Sequence, residues 1–318
     1  MNYFAAVIGQ MNIDFIFQGV ETLPEPGEEV LASNFKICLG GGPMVIPYHL
    51  SRLGVPTRFG TFMGDDFESK MARDLLESIK YENVEVLSSE ANRPVVATSV
   101  LSTKYERSFI CYNSNVDESS IDSKVLSKFF KGSKVAYFPK NMEIVKELVQ
   151  DGCQLILDVA WDNEMKLSDF VERLKYVTYF TPNDKEAKKL CGESDILKCL
   201  DMLGEYIATP FIKLGMNGVI AKIDGQYIRV PGLDVFNSID PTGAGDNFLA
   251  GLIYGIYLKM SFIDCLKIAN IVGGLSTEVI GCYRSEISPE LVMSYFDKYP
   301  EPNQVFTRAE LDTLLARE

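Results

Sequence analysis

The residues best suited to chemistry form one short string, Asp240 to Asp246, which reads Asp-Pro-Thr-Gly-Ala-Gly-Asp. Apolar residues from Phe248 to Tyr257 then recur at helical spacing, which places the string at the amino end of a buried helix. The free backbone amides there, beside side chains no larger than methyl, favour a bound phosphate or oxyanion. An aspartate in this first turn is costly beside a phosphate unless it removes a proton from an attacking hydroxyl group. The alternative is that Asp246 only balances the helix dipole.

Two segments near the amino terminus also combine polar or glycine residues in a suggestive way. Asn12 and Asp14 lie at i and i+2 after a first apolar strand, so on an extended segment their side chains point the same way. Gly40, Gly41 and Gly42 precede a predicted helix and leave bare backbone for a ligand, although three glycines also make a plain flexible turn.

A fourth segment places Asn183 and Glu186 at i, i+3 spacing, on one face of a predicted helix. An amide and a carboxylate in this arrangement can hold magnesium through its water molecules, because magnesium dehydrates reluctantly. Asn183 alone is equally typical of a helix cap.

The elements around these segments alternate between short apolar strands and helical patterns from about residue 134 onward, which indicates βαβ units around a parallel sheet. Residues 15–38 and 92–113 instead alternate with turn residues, which predicts a small antiparallel β lid inserted into one doubly wound α/β domain that spans residues 1–318. The carboxyl end from residue 288 is expected to be helical.

Composition and missing motifs exclude several classes of protein. The formal net charge is −13, so a nucleic acid partner is not expected. The sequence has no Walker A, GxGxxG or GxSxG motif, and its seven cysteines, an odd number, form no CxxC pair. Its single histidine, His49, is expected to be structural. The longest apolar run is too short to span a membrane and the amino terminus does not resemble a signal peptide, so a cytoplasmic location is expected.

The string from Asp240 to Asp246 resembles the carboxyl-terminal signature of the ribokinase-like, PfkB-type carbohydrate kinases, and the resemblance extends over nearly the whole chain. It implies an ATP- and magnesium-dependent kinase that phosphorylates a hydroxyl group of a sugar or sugar derivative. In such a kinase Asp246 would be the catalytic base, and the amides of Gly243, Ala244 and Gly245 would form the anion hole.

The resemblance also implies roles for the other segments. Asn12 and Asp14 would accept hydrogen bonds from the sugar, and the three glycines would close over it. Arg107, in the predicted lid, could meet a charged group of a sugar acid or could be a solvated turn residue. Asn183 and Glu186 would organise magnesium beside the nucleotide phosphates, and ATP would contact the residues Asn183, Lys213, Gly215, Gly218, Asn270 and Gly281. Some members bind potassium where this chain has Thr242, Gly281 and Ser285.

One departure from the family pattern concerns the substrate. Val45 stands where the family usually has a sugar-binding asparagine, and a valine cannot bind a hydroxyl group. The sequence therefore does not identify the sugar, and two alternatives stay open. One is a nucleoside kinase of the same fold, and the other is a sugar-binding regulatory protein without turnover. A homodimer through the lid is also expected, because an exposed sheet has a face to bury.

Overall fold

The computed structural model describes residues 3–81, 83–88, 95–102, 107–113, 116, 118–283 and 286–316. Its strands are β1 (Ala5–Ile8), β2 (Asn12–Gln18), β3 (Asn34–Gly40), β4 (Thr57–Phe62), β5 (Val84–Ser88), β6 (Val96–Ser102), β7 (Arg107–Tyr112), β8 (Val135–Tyr137), β9 (Gln154–Leu157), β10 (Tyr179–Phe180), β11 (Phe211–Lys213), β12 (Val219–Ile223), β13 (Gln226–Val230) and β14 (Asn303–Val305). Its helices are α1 (Gly42–Arg52), α2 (Phe67–Ser78), α3 (Ser123–Phe130), α4 (Met142–Gln150), α5 (Val171–Leu174), α6 (Asp184–Cys191), α7 (Ile196–Gly204), α8 (Ala244–Tyr257), α9 (Phe262–Ser276), α10 (Pro289–Phe296) and α11 (Arg308–Leu315).

The central sheet is parallel and has the strand order β10-β9-β8-β1-β4-β5. A parallel bridge between Asn183 and Lys213 continues it towards a second, antiparallel sheet in the order β11-β12-β13-β14. Helices cover both faces of the central sheet. Ala6 and Ile8 of β1 belong to one apolar cluster, while Ala5 and Val7 belong to the other. This two-sided burial is typical of a doubly wound α/β domain, so the predicted fold class is confirmed.

A smaller sheet, in the order β3-β2-β6-β7, accounts for the two segments predicted as a lid. Its outer pairs β2–β3 and β6–β7 are antiparallel as expected, whereas its central pair β2–β6 is parallel. The parallel pair arises because α1, β4, α2 and β5 lie between β2 and β6 in the chain, so the two strands are joined by a long crossover instead of a hairpin.

The helix that follows the Asp240–Asp246 string packs closely on the next helix. A Cβ atom added to Gly251 would lie 2.7 Å from the Cα of Ala269, and one added to Gly255 would lie 2.8 Å from the Cα of Cys265. The two glycines therefore let the backbones of α8 and α9 approach, and this contact fixes the start of α8 relative to the sheet. No helix in the described ranges is long and apolar enough to cross a membrane.

Candidate active site

The loop before α8 is held in place by a buried polar residue inside the helix. Gly243 adopts the left-handed conformation with φ 76°, and a Cβ there would lie 2.3 Å from the Cβ of Cys282. Asn247 is fully buried, and its side-chain amide donates to the carbonyl oxygens of Gly243 at 2.9 Å and Cys282 at 3.0 Å. Only glycine fits this turn, which leaves bare backbone at the helix start, where the Ala244 amide donates to the carbonyl oxygen of Pro241 at 3.2 Å.

Asp240 ties the beginning of the same string to a distant loop. One of its carboxylate oxygens accepts from the amide of Thr242 at 2.9 Å and from the hydroxyl of Thr242 at 2.6 Å. The other oxygen accepts from the amide of Gly281 at 3.2 Å. Asp240 is therefore a buried organising residue, and this use explains an acidic side chain at the first position of the string.

Asp246 lies in the first turn of α8, facing the glycine run of the small sheet. A Cβ added to Gly42 would lie 2.1 Å from Oδ1 of Asp246, so the carboxylate lies directly against bare backbone. Burial raises the pKa of Asp246 from 3.8 to about 7, with further increases from Asp158 and Asp14 and a decrease from Lys213. A carboxyl group with a pKa near neutrality is suited to accept a proton at physiological pH.

The second acidic group of the site is Asp14, on β2 of the small sheet. It is buried, and its Oδ1 atom has no hydrogen-bond partner. Burial raises its pKa to about 6, against the lowering effect of a hydrogen bond with Thr98, and Asp240 raises it further. Since leaving a buried carboxylate oxygen without a partner is expensive, the atom is available to a ligand's donor group.

Two of the three glycines lie against Asn12 and Asp14, the polar residues predicted to bind the same ligand. An added Cβ would lie 2.1 Å from Oδ2 of Asp14 at Gly40 and 3.0 Å from Oδ1 of Asn12 at Gly41. The structure thus brings together Asn12, Asp14, the glycine run and Asp246 at one end of the central sheet.

A second polar group lies beside Asp246. Lys213, at the end of β11, forms an ion pair with Asp158 at 3.3 Å, and both side chains are largely buried. Asp158 also accepts a hydrogen bond from the hydroxyl of Thr181 at 2.5 Å. A Cβ added to Gly245 would lie 3.4 Å from Nζ of Lys213, so the ammonium group lies next to the predicted anion hole. Positive charge is thus placed where a transferred phosphoryl group would need it.

Asn183 and Glu186 form a reciprocal capping box at the start of α6. The Glu186 amide donates to Oδ1 of Asn183 at 2.9 Å, and the Asn183 amide donates to Oε2 of Glu186 at 2.7 Å. Burial raises the pKa of Glu186, while the hydrogen bond from Asn183 and the charge of Lys213 lower it. The capping interpretation left open by the sequence therefore has direct geometric support.

The same pair also fits magnesium. Its donors are oxygen atoms, Oε1 of Glu186 takes no part in the capping box, and Lys213 and Asp158 are close enough to shift the pKa of Glu186. Within the described ranges, no three His, Cys, Asp or Glu side chains are grouped as metal ligands. An ion held mainly through water and phosphate oxygens needs no such group.

Two of the remaining predicted nucleotide residues, Gly218 and Asn270, lie beside the carbonyl oxygen of Val230. Gly215 begins a 3₁₀ turn after β11, and Gly218 has φ 87° and lies against the backbone of β13, with an added Cβ 2.2 Å from the carbonyl oxygen of Val230. Asn270 donates to the carbonyl oxygens of Val230 at 3.2 Å and Pro231 at 3.3 Å. Gly281 lies elsewhere, beside Asp240 and near the sulfur of Cys38, where an added Cβ would be 3.3 Å away.

The other residues considered from the sequence are Arg107, Ser285, Val45 and His49. The Arg107 side chain and the whole of Ser285 lie outside the described residues. Val45 is fully buried in the apolar cluster under the small sheet, so it offers no polar group. His49 is also buried, its Nδ1 lies 3.1 Å from the carbonyl oxygen of Val45, and burial lowers its pKa to about 3, as expected of a structural histidine. Trp161 is exposed.

Three residues near the site were not identified from the sequence. Asn247 supports the turn at Gly243, and Thr98 lies beside Asp14 on a strand about eighty residues further along the chain. Burial raises the pKa of Tyr137, and the charges of Asp158 and Asp246 raise it further. Only Asn247 left a signal, as a polar residue on the buried face of the predicted helix.

Comparisons with known proteins show the family and the fold of the chain. The model of the pfkB family carbohydrate kinases matches residues 3–289. Ribokinase of Haemophilus influenzae is 24% identical over 298 residues, covering 88% of this chain and 94% of that protein. A ribokinase of Arabidopsis thaliana, solved with ribose and ATP, has a TM-score of 0.76 at 20% identity, covering 93% of this chain and 99% of its own. A nucleoside kinase of Methanocaldococcus jannaschii has a TM-score of 0.72 at 17% identity and covers 94% and 99%. The chain belongs to the pfkB family of carbohydrate kinases.

Proposed function

We propose that this protein transfers the γ-phosphoryl group of ATP to a hydroxyl group of a sugar or sugar derivative, with Asp246 as the general base. The observation that carries the proposal is the position of Asp246. Its carboxylate lies at the amino end of α8, against Gly42, between the Lys213–Asp158 pair and Asp14, with its pKa raised to about 7. A base, an anion cradle and a cation thus meet at one point.

In the proposed reaction Asn12 and Asp14 hold the acceptor by its hydroxyl groups. Asp246 takes the proton from the hydroxyl that attacks the γ-phosphorus in line. The amides of Gly243, Ala244 and Gly245 stabilise the charge of the transferred group, and the ammonium of Lys213 adds to this effect. The small sheet would act as a lid that excludes water while it covers the acceptor.

The nucleotide is expected on the side of the cleft formed by Lys213, Gly215 and Gly218, with Asn270 and Gly281 as further predicted contacts. Ribokinase structures of Arabidopsis thaliana with ATP and Cryptococcus neoformans with ADP support the choice of nucleotide. Asn183 and Glu186 are the residues that would hold magnesium, which would supply neutralisation of phosphate charge. Potassium at Thr242, Gly281 and Ser285 stays a prediction.

The test is ATP consumption over a panel of sugars, sugar acids and nucleosides, with Asp246→Asn compared with the parent. The variant should lose turnover by on the order of 10²–10⁴-fold, because the base is removed while the shape is kept. Asp224→Asn, in the exposed hairpin between β12 and β13, is the matched control and should keep full activity.

Folding of the variant is checked by thermal melting above pH 7. The raised pKa means that the folded state disfavours the ionised form of Asp246, so this carboxylate lowers stability as pH rises from 3.8 through about 7. Asp246→Asn should therefore melt at or above the parent's temperature. An Asp246→Asn variant that keeps its activity would contradict the assignment of Asp246 as the general base. A parent that binds a sugar without turnover supports the regulatory alternative.

Nucleosides belong in the panel for a specific reason. Nucleoside kinases of Methanocaldococcus jannaschii and Burkholderia thailandensis match this fold at TM-scores of 0.72, close to the values of 0.74 and 0.76 for two ribokinases. A nucleoside that stimulates turnover more than any free sugar would show that the protein is a nucleoside kinase.

A further inference from the structure

Thr98 occupies a distinctive place in the small sheet. It lies on β6, directly paired with Asp14 of the neighbouring parallel strand β2, and its side chain is only 3% exposed. Residues paired in this way project from the same face of a sheet. The Thr98 hydroxyl is therefore buried on the face that carries Asn12 and Asp14.

The hydroxyl makes contact with both of these predicted acceptor-binding residues. Nδ2 of Asn12 donates to Oγ1 of Thr98 at 3.4 Å. Thr98 is also the cross-strand partner of Asp14, and its hydroxyl lowers the pKa of that carboxyl group. A threonine hydroxyl has one proton to donate and lone pairs to accept. Because the carboxylate can only accept, the hydroxyl proton goes to Asp14 and a lone pair receives the amide of Asn12.

This distribution of protons fixes what the two side chains offer to a ligand. The contact of the Asn12 amide nitrogen with Thr98 sets the orientation of this side chain, and its Oδ1 lies towards Gly41, where an added Cβ would be 3.0 Å away. Oδ1 of Asp14 is buried without a partner. Two oxygen atoms that can accept hydrogen bonds, Oδ1 of Asn12 and Oδ1 of Asp14, are thus presented beside the glycine run.

We infer that Thr98 is a positioning residue that orients Asn12 and Asp14 so that Oδ1 of each side chain faces the ligand as a hydrogen-bond acceptor, and that the site thereby selects an acceptor with two neighbouring hydroxyl groups. This inference rests on the proposed function, because it assigns Asn12 and Asp14 to the phosphoryl acceptor. Without the hydroxyl of Thr98, the Asn12 amide can turn its nitrogen towards the ligand, and Asp14 loses a stabilising donor. The pair then no longer matches two hydroxyl donors.

The experiment compares Thr98→Val, which keeps the shape and removes the hydroxyl, with Thr98→Ser, which keeps the hydroxyl. The control is Ser99→Ala, because Ser99 is the next residue of β6 and projects from the opposite face. The acceptor is the best one found in the panel, and a deoxy analogue lacking one of two neighbouring hydroxyl groups is assayed beside it.

Thr98→Val should raise the KM of the acceptor about tenfold or more, leave kcat within about threefold, and leave the KM of ATP unchanged. Its preference for the full acceptor over the deoxy analogue should fall by a similar factor. Thr98→Ser should stay within about twofold of the parent in every constant, and Ser99→Ala should be indistinguishable from the parent. A merely structural role for Thr98 would instead lower the melting temperature and reduce kcat and the affinity for both substrates together.

An unchanged acceptor KM in Thr98→Val, or equal losses in the serine and valine variants, would overturn the inference. If Thr98→Val does not fold, Thr98→Ala and Thr98→Cys provide the same comparison with the serine variant. The acceptor Kd, measured by calorimetry without ATP, separates this inference from the proposed function. A parent that binds the acceptor but does not phosphorylate it contradicts only the kinase proposal, and the Kd values of the variants still decide the role of Thr98. A parent that neither binds nor phosphorylates any of the compounds overturns both.

Discussion

At the scale of single residues, the raised pKa of Asp246 controls how activity should depend on pH. A base must be ionised before it can accept a proton, and the pKa of Asp246 in the free protein is about 7. We therefore expect kcat/KM to fall about tenfold for each pH unit below 7 and to level off above 8. The measurement is kcat/KM for the acceptor between pH 5.5 and 9, with ATP saturating.

Asp14 adds a second, lower ionisation to the same profile, because its pKa is about 6. The limiting slope should therefore steepen below pH 6. Asp14→Asn serves as the control, since it should remove the lower ionisation and keep that of Asp246, whose pKa should fall somewhat because the charge of Asp14 raises it. A profile that stays flat from pH 8 to pH 5.5 would contradict the assignment of Asp246 as the base.

The sequence indicated the residues whose role depends on local spacing. Asp246 and Gly243 were found because a helix pattern follows them directly, and Asn12 and Asp14 because they share one face of a strand. Thr98 was not found, because its partner Asp14 lies on a distant strand and the parallel pairing of β2 with β6 is a long-range contact. No local pattern specifies such a pair.

At the scale of elements, the close approach of α1 to α8 sets the position of the Asp246 carboxylate against the backbone of Gly42. Gly42 is the first residue of α1, it has no positive φ, and a Cβ there would lie 2.1 Å from Oδ1 of Asp246. Gly42→Ala should therefore leave the backbone of the helix intact and displace the carboxylate. We expect kcat to fall by about 10²-fold, because small misplacements of a catalytic group are costly.

Gly204→Ala is the matched control for this prediction. Gly204 ends α7, it also lacks a positive φ, and an added Cβ would make an ordinary contact of 3.7 Å with Pro210. This variant should keep full activity. If Gly42→Ala is as active as Gly204→Ala, the close contact between the glycine run and Asp246 does not constrain the reaction.

The apolar periodicity of the sequence predicted the helices and buried strands of the central sheet. It did not predict the boundaries of the elements or the edge strands. The pattern over residues 176–180 predicted a full strand, whereas β10 is only Tyr179–Phe180, and a 3₁₀ turn, Leu167–Asp169, precedes the short α5. The carboxyl end was expected to be helical, yet β14 pairs with β13 there. Edge strands such as β14 have too few buried residues to leave an alternating pattern, so tertiary pairing decides them.

At the scale of the whole molecule, the site depends on three parts of the chain that meet at one end of the central sheet. The small sheet contributes Asn12, Asp14 and Thr98, and the last helices contribute Asp246. Between them, β11 contributes Lys213, which pairs with Asp158. A chain with a formal net charge of −13 still places a lysine where the proposed phosphoryl transfer needs positive charge, so the net charge alone does not exclude a phosphate ligand.

The small sheet leaves an apolar face on the side opposite Asp14. This outer face is formed by residues that alternate with the site residues on β2, β3 and β7, namely Phe15, Phe17, Phe35, Ile37, Ile110 and Tyr112. Ile110 is 69% exposed, Tyr112 56% and Phe35 49%, and the rings of Phe17 and Phe35 lie 5.0 Å apart. An exposed apolar sheet face of this kind is suited to pack on a second copy of itself.

We therefore expect the protein to form a homodimer through this outer face. Ile110→Lys should convert the dimer into a monomer, because a dimer with two-fold symmetry buries each copy of the residue and each lysine would lose its hydration there. The measurement is the molar mass by light scattering during gel filtration at several protein concentrations. Phe306→Lys is the matched control, because Phe306 is 66% exposed on the opposite, antiparallel part of the fold, between β14 and α11. A parent that is monomeric at all concentrations, or an Ile110→Lys variant that dimerises as well as Phe306→Lys, would show that the outer face has another use.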